Sequence, residues 1–166
     1  MPSITRSALL AAVVGLGMTL PATQGLRAVA ATVALEGDGI VTLKSAYDMQ
    51  DTIDRLKADI ADKGIVFFFQ VDQSALAGAA GIQLQPTTQL NFGNPALGSL
   101  FITARPEAGL DWPVRVLVSQ DDGGQVWVSY TDFAWIAARH GITDRDAEFA
   151  KATEVITSIA ASVAAR

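Results

Sequence analysis

The segment QLNFGNPALGSLFITA, residues 89–104, decides how this chain folds, because it holds a strand, a bend and a helix start in succession. Proline fixes its own φ near the helical value, lacks the amide that a first helical turn leaves unpaired, and drives the preceding residue into extended backbone. Pro95 therefore opens a helix, and Asn94 stands just outside it. Asn is among the strongest N-caps, and Leu97, Leu100, Phe101 and Ala104 follow on one apolar face. Upstream, Thr88 to Phe92 reads as extended, with Gly93 as the bend between strand and helix. The same peptide can also serve as a loop at the mouth of a site. A helix N-terminus holds an anion only with a glycine-rich cradle or a neighbouring cation, and this segment has neither. The structural reading leads, and Asn94 stays as a binding candidate.

The flanking sequence supplies a sheet and its helices. Ile40 to Ser45 alternates as a half-buried strand; Asp48 then caps a helix whose Met49, Ile53, Leu56 and Ile60 share a face and which Gly64 stops. Asp51 with Arg55 and Asp59 with Lys63 are spaced for ion pairs on its wet side. Ile65 to Val71 contains Phe67-Phe68-Phe69, a run apolar on both faces that belongs in a covered strand rather than at an edge. Asp72-Gln73-Ser74 starts a short helix limited by Gly78 and Gly81. Arg105 to Pro113 reads as loop. Val114, Val116 and Val118 alternate before Asp121-Asp122-Gly123-Gly124, and Val126, Val128 and Tyr130 alternate after it, which signals a hairpin. Asp132 caps a helix ending at His140-Gly141, and Thr143 with Asp146 forms a capping box before a terminal helix striped by Phe149, Ala152, Ile156, Ile159 and Val163. The reading is α+β: a single domain over residues 40–166, a curved antiparallel sheet packed on helices, with a β-α-β-β-β-β-α core and short helical insertions.

The first thirty residues stand apart. Arg6, the apolar run Leu9 to Leu20 closed by Pro21, and the small residues Ala28-Val29-Ala30 have the layout of a secretory signal peptide, and the run is short for a membrane span. Residues 1–30 are expected to be cleaved and residues 31–39 to form a flexible lead-in, so the product is exported to the periplasm or secreted, with no stable membrane insertion after cleavage. Cleavage removes Arg6 and Arg27 and no acid, leaving ten bases against 17 acids. So acidic a surface disfavours nucleic acid and anionic lipid. The absence of Cys excludes disulfides, thiolate metal sites and thiol catalysis.

Four groups of residues, Phe92-Gly93-Asn94-Pro95, Gly109-Leu110-Asp111 with Pro113, Val126-Trp127-Val128-Ser129-Tyr130 before Asp132, and Arg139-His140-Gly141, together resemble the domain of unknown function 302 family, over about Asp48 to Ile142. The resemblance implies a compact α+β domain, commonly a bacterial dimer, with no activity to inherit. Relatives carry a His after the Asp that ends the second strand, whereas this chain has Asp72-Gln73-Ser74. Gln cannot titrate there.

The chemistry is sparse. His140 is the only histidine, and beside Gly141 at a helix end it is expected to serve the exposed carbonyls. No metal site is expected, since transition-metal sites want several His or Cys, and Asp121-Asp122-Gly123-Gly124 reads as a turn rather than half a calcium loop. No cofactor is expected. The polar groups best placed to fix a small-molecule ligand are Asn94, Tyr130, Arg139 and His140. The first functional reading is a non-enzymatic periplasmic ligand-binding or interaction module. The alternative is a small hydrolase or isomerase using His140 with Asp132 or Tyr130, decided by whether His140 and Tyr130 converge on one cleft. A homodimer of two-fold symmetry is expected, since the triple-Phe strand, the three Trp residues and the terminal stripe exceed what one small sheet readily covers, with the contact at an exposed strand or helix face near Trp112 or Trp135.

Overall fold

The computed structural model describes residues 37–165; the expected leader and most of the lead-in lie outside them. Strand β1 (Ile40–Lys44) is followed by helix α1 (Met49–Asp62), β2 (Val66–Asp72), α2 (Gln73–Ala79), β3 (Thr87–Gly93) and α3 (Pro95–Ala104). After a 3-10 turn (Pro106–Asp111) come β4 (Val114–Gln120), β5 (Val126–Thr131), α4 (Phe133–His140) and α5 (Asp146–Ala161). The five strands form one antiparallel sheet in the order β1-β5-β4-β3-β2. This is the α+β architecture expected from the sequence, with three pairings between consecutive strands, β1 added beside β5, and helices as insertions.

Period-2 alternation gives the sheet one inner face. In register across it lie Val41, Tyr130, Val116 and Leu90, and beside them Leu43, Val128, Val118 and Thr88. Leu56 and Ile60 of α1 and Ile156 and Ile159 of α5 are fully or almost fully buried with these residues in one apolar core. At roughly 1.5–3 kcal/mol for each large aliphatic side chain removed from water, these four contacts outweigh any cap or surface pair. The terminal stripe is consumed here: Phe149, Ala152, Ile156, Ile159 and Val163 are all buried within one chain. That removes the stripe from the argument for a dimer.

Local signals held where their partners lie close in sequence. Asp48 accepts from the Asp51 amide at the start of α1, and Asn94 accepts from the amides of Ala96 and Leu97 at the start of α3. Lys63 pairs with Asp59 at 2.6 Å, whereas Arg55 lies over the Tyr47 ring instead of meeting Asp51. Gly141 takes the left-handed conformation that ends α4.

Three expectations are corrected. The triple-Phe strand is β2, an edge of the sheet, with Phe68 38% and Phe69 51% exposed. A bulge between Phe67 and Phe69 shifts the register there, so the run does not alternate cleanly across two covered faces. Residues 106–111 are a 3-10 turn rather than open loop, since Pro106 fits a first helical position. The Thr143–Asp146 capping box does not form: α5 starts at Asp146 after Arg145, which provides no side-chain cap.

Candidate functional site

The four candidate residues fall into two places. Asn94 lies at an apolar pocket; Tyr130 and Arg139 border a polar groove; His140 is packed behind that groove.

The apolar pocket exists because α3 leaves the sheet sharply at Gly93-Asn94-Pro95 and crosses toward α5. Its volume is about 360 Å³, with Phe92, Leu97, Phe101, Val114 and Val155 among its walls and Trp112 closing one side. Close backbone approach makes the Trp112 wall. The indole lies against Gly98, where an added Cβ would collide with it, and against Gly93, where a Cβ would meet Nε1 at 3.0 Å. Phe68 meets the same indole edge-on, ring centres 5.5 Å apart. Lys63 and Lys151 stand at the pocket and are each paired, with Asp59 and Glu154. The pocket is therefore a site for apolar surface, with charge balanced at its edge. The segment 93–95 is thus both the strand-to-helix turn and part of a pocket wall.

The polar groove has a charged centre that residue-by-residue reading missed. Asp111 ends the 3-10 turn with its side chain 5% exposed, and it accepts from Arg115 at 3.0 Å, from Arg139 at 3.1 Å, and from His140 Nε2 at 2.7 Å. A buried carboxylate needs such partners, because stripping it of water without pairing costs several kcal/mol. An ionised carboxylate only accepts, so His140 carries its proton on Nε2 in this contact. The expected carbonyl-serving role of His140 is replaced by this ion-paired staple, which ties the end of α4 to the 3-10 turn and the start of β4. The proposed catalytic pairings are not in place: Asp132 is committed to the Ala134 amide as the α4 cap, and His140 bonds to Asp111. Tyr130 is 8% exposed among the core residues on the inner face of β5.

Asp111 lay inside one of the sequence motifs but carried no signal of its own, since its partners Arg139 and His140 are 28 and 29 residues away. Trp112 was likewise invisible as a pocket wall, because the two glycines that receive it are on β3 and α3. Among the described residues, no group of three or more His, Cys, Asp or Glu is placed to hold a metal ion. No helix among them is long and apolar enough to cross a membrane.

Comparison with known proteins bears on this geometry. The family described as "Domain of unknown function DUF302" matches residues 41–164. The chain is 38% identical over 104 residues to "Fluoride-specific ion channel FluC 1" of Brucella suis biovar 1 (strain 1330), covering 63% of this chain and 41% of that protein. It is also 38% identical over 104 residues to "Fluoride-specific ion channel FluC 1" of Brucella abortus biovar 1 (strain 9-941), covering 63% of this chain and 38% of that protein. The chain thus spans about two fifths of the length of the curated relatives it matches. A crystal structure of an uncharacterized conserved protein DUF302 from Bacillus stearothermophilus superposes with a TM-score of 0.70 at 15% identity, covering 76% of this chain and 99% of that one.

Proposed function

The chain belongs to the DUF302 family, whose function is unknown, and from that premise we propose that this domain is an exported, non-enzymatic module that binds a small apolar molecule. The observation that carries the reading is the pocket of about 360 Å³ between β3, α3 and α5, walled by aromatic and aliphatic side chains. Pockets of a few hundred Å³ with an apolar lining and few polar groups are the usual form of a small-molecule site. Export rests on the leader-like residues 1–30 and the acidic remainder. The domain is read as working as a homodimer, with the exposed apolar side chains of β2 as the contact.

Native mass spectrometry of the protein purified from its own host is the direct test. A retained small molecule is expected, and it should be lost when Val155→Trp fills the pocket from α5. The variant should also bind the apolar dye 8-anilinonaphthalene-1-sulfonate less than the wild type, with an unchanged circular dichroism spectrum. If neither a retained molecule nor pocket-dependent dye binding is found, the reading falls.

A further inference from the structure

The groove around Asp111 shares no lining residue with the apolar pocket, and Arg115 and Arg139 stand in it beside two acids, Asp111 and Asp38. One buried carboxylate is satisfied by one well-placed cation, yet Arg115 and Arg139 both converge on Asp111, with His140 as a third donor. The two guanidinium groups are not spent. Arg139 contacts Asp111 through one terminal nitrogen, and Arg115 uses one on Asp111 and the Leu110 carbonyl. Each guanidinium has five N–H donors, so both keep donors for another acceptor, and their side chains are 44% and 43% exposed.

The rest of the groove suits an organic body. It encloses about 420 Å³, more than an inorganic ion fills, and Leu117 and Trp135 give it apolar surface while Gln89, Ser129 and Thr131 add uncharged polar groups. Arg139 lies over the Trp135 ring, 5.5 Å from its centre, so the charged and apolar parts of the groove adjoin. The other acid in the lining, Asp38, accepts from the Ile40 amide and keeps its negative charge, so what the two arginines offer is free N–H donors rather than surplus charge.

We propose that this groove binds a small organic carboxylate, its charged end on the free donors of Arg115 and Arg139 and its body against Leu117 and Trp135. A guanidinium fork matches a planar carboxylate in two parallel hydrogen bonds. Phosphate is the weaker candidate, since it has no organic body to place against Leu117 and Trp135.

Titration of the nitrogen-15-labelled protein with sodium succinate, sodium phosphate and sodium chloride at constant ionic strength tests the assignment. The side-chain Nε–H signals of Arg115 and Arg139 and the Trp135 indole signal should shift saturably with succinate, and little with chloride. Arg139→Gln should weaken the succinate response about tenfold, the scale of one lost charge-assisted bond. Because that change also touches Asp111, Thr131→Glu provides a second variant, placing a competing carboxylate in the groove, and it should abolish the response with the fold retained. Saturation by phosphate at lower concentration than succinate overturns the carboxylate class. Shifts absent or linear in all three salts, or a succinate response untouched by Thr131→Glu, overturn the site itself. None of these outcomes depends on the apolar pocket.

Discussion

Single residues in this domain carry two duties at once, and Asn94 is the clearest. Its side-chain oxygen receives the Ala96 and Leu97 amides at 3.0 and 3.2 Å while the residue also borders the apolar pocket. Losing an N-cap of this kind costs about 1 kcal/mol, so Asn94→Ala is expected to lower stability by about that much in urea unfolding. Unchanged stability with loss of the bound molecule would show that the residue serves the site alone. Gly98 sets a second limit. Alanine is favoured over glycine within a helix by roughly 1 kcal/mol, but a Cβ here runs into the Trp112 indole, and overpacking of that kind costs about 1–3 kcal/mol. Gly98→Ala should therefore destabilise on balance and alter Trp fluorescence; a stabilised variant with an unchanged emission spectrum would mean that the indole yields freely.

Elements depend on such residues through turns, and the β4–β5 hairpin hangs on Asp121. Its carboxylate accepts from the Trp127 indole at 2.8 Å and from the amides of Gln125 and Gly123, both at 2.9 Å. The Trp127 bond first, then the Gln125 amide, hold its carboxyl below the usual Asp value. Because the native value lies below the unfolded one of about 3.9, the stabilising contribution is complete above that pH and is lost as pH falls through the native value. Trp127→Phe should move the Asp121 midpoint upward toward 3.9, so that the loss begins at higher pH; identical carboxyl titrations by nuclear magnetic resonance in both proteins would refute this. What was legible in the sequence divides along the same line. Caps, the hairpin and the α1 and α5 stripes depend on neighbours a few residues away, so Asp48, Asn94, Asp132 and Phe149 could be read directly. The position of β2 could not, because Phe67-Phe68-Phe69 presents the same apolar run whether central or at an edge, and only the strand order and the bulge distinguish the two. Asp111 was hidden for a related reason: a buried charge cluster assembled from β4, α4 and the 3-10 turn has no local period. Arg139 and His140 were legible as polar groups in a motif, while the carboxylate that organises them was not.

The whole molecule raises the question of what covers its exposed edge. On export, N-terminal sequencing of secreted material should show a start near Ala31, whereas Met1 retained on a membrane-bound form would refute cleavage. Assembly is then a question about β2. Phe68 and Phe69 are exposed at the sheet edge, and Phe68 extends toward Trp112, so aromatic surface continues from the strand to the pocket wall. An exposed apolar edge invites pairing, and natural proteins usually blunt such edges with charge, proline or a bulge. The edge here has a bulge but neither Lys nor Pro between Val66 and Asp72, and the bulge interrupts the backbone ladder without removing the aromatic side chains. The expected dimer is therefore two-fold symmetric and held by packing of Phe68 and Phe69 against their symmetry mates rather than by a continuous ten-stranded sheet. Sedimentation equilibrium should give twice the chain mass at micromolar concentration, and Phe69→Lys should give one chain mass with the circular dichroism spectrum unchanged. A wild-type mass of one chain at all concentrations would remove the dimer, and a dimeric Phe69→Lys variant would move the contact away from β2, because a charge at the centre of a dry aromatic interface cannot be accommodated without separating the two copies.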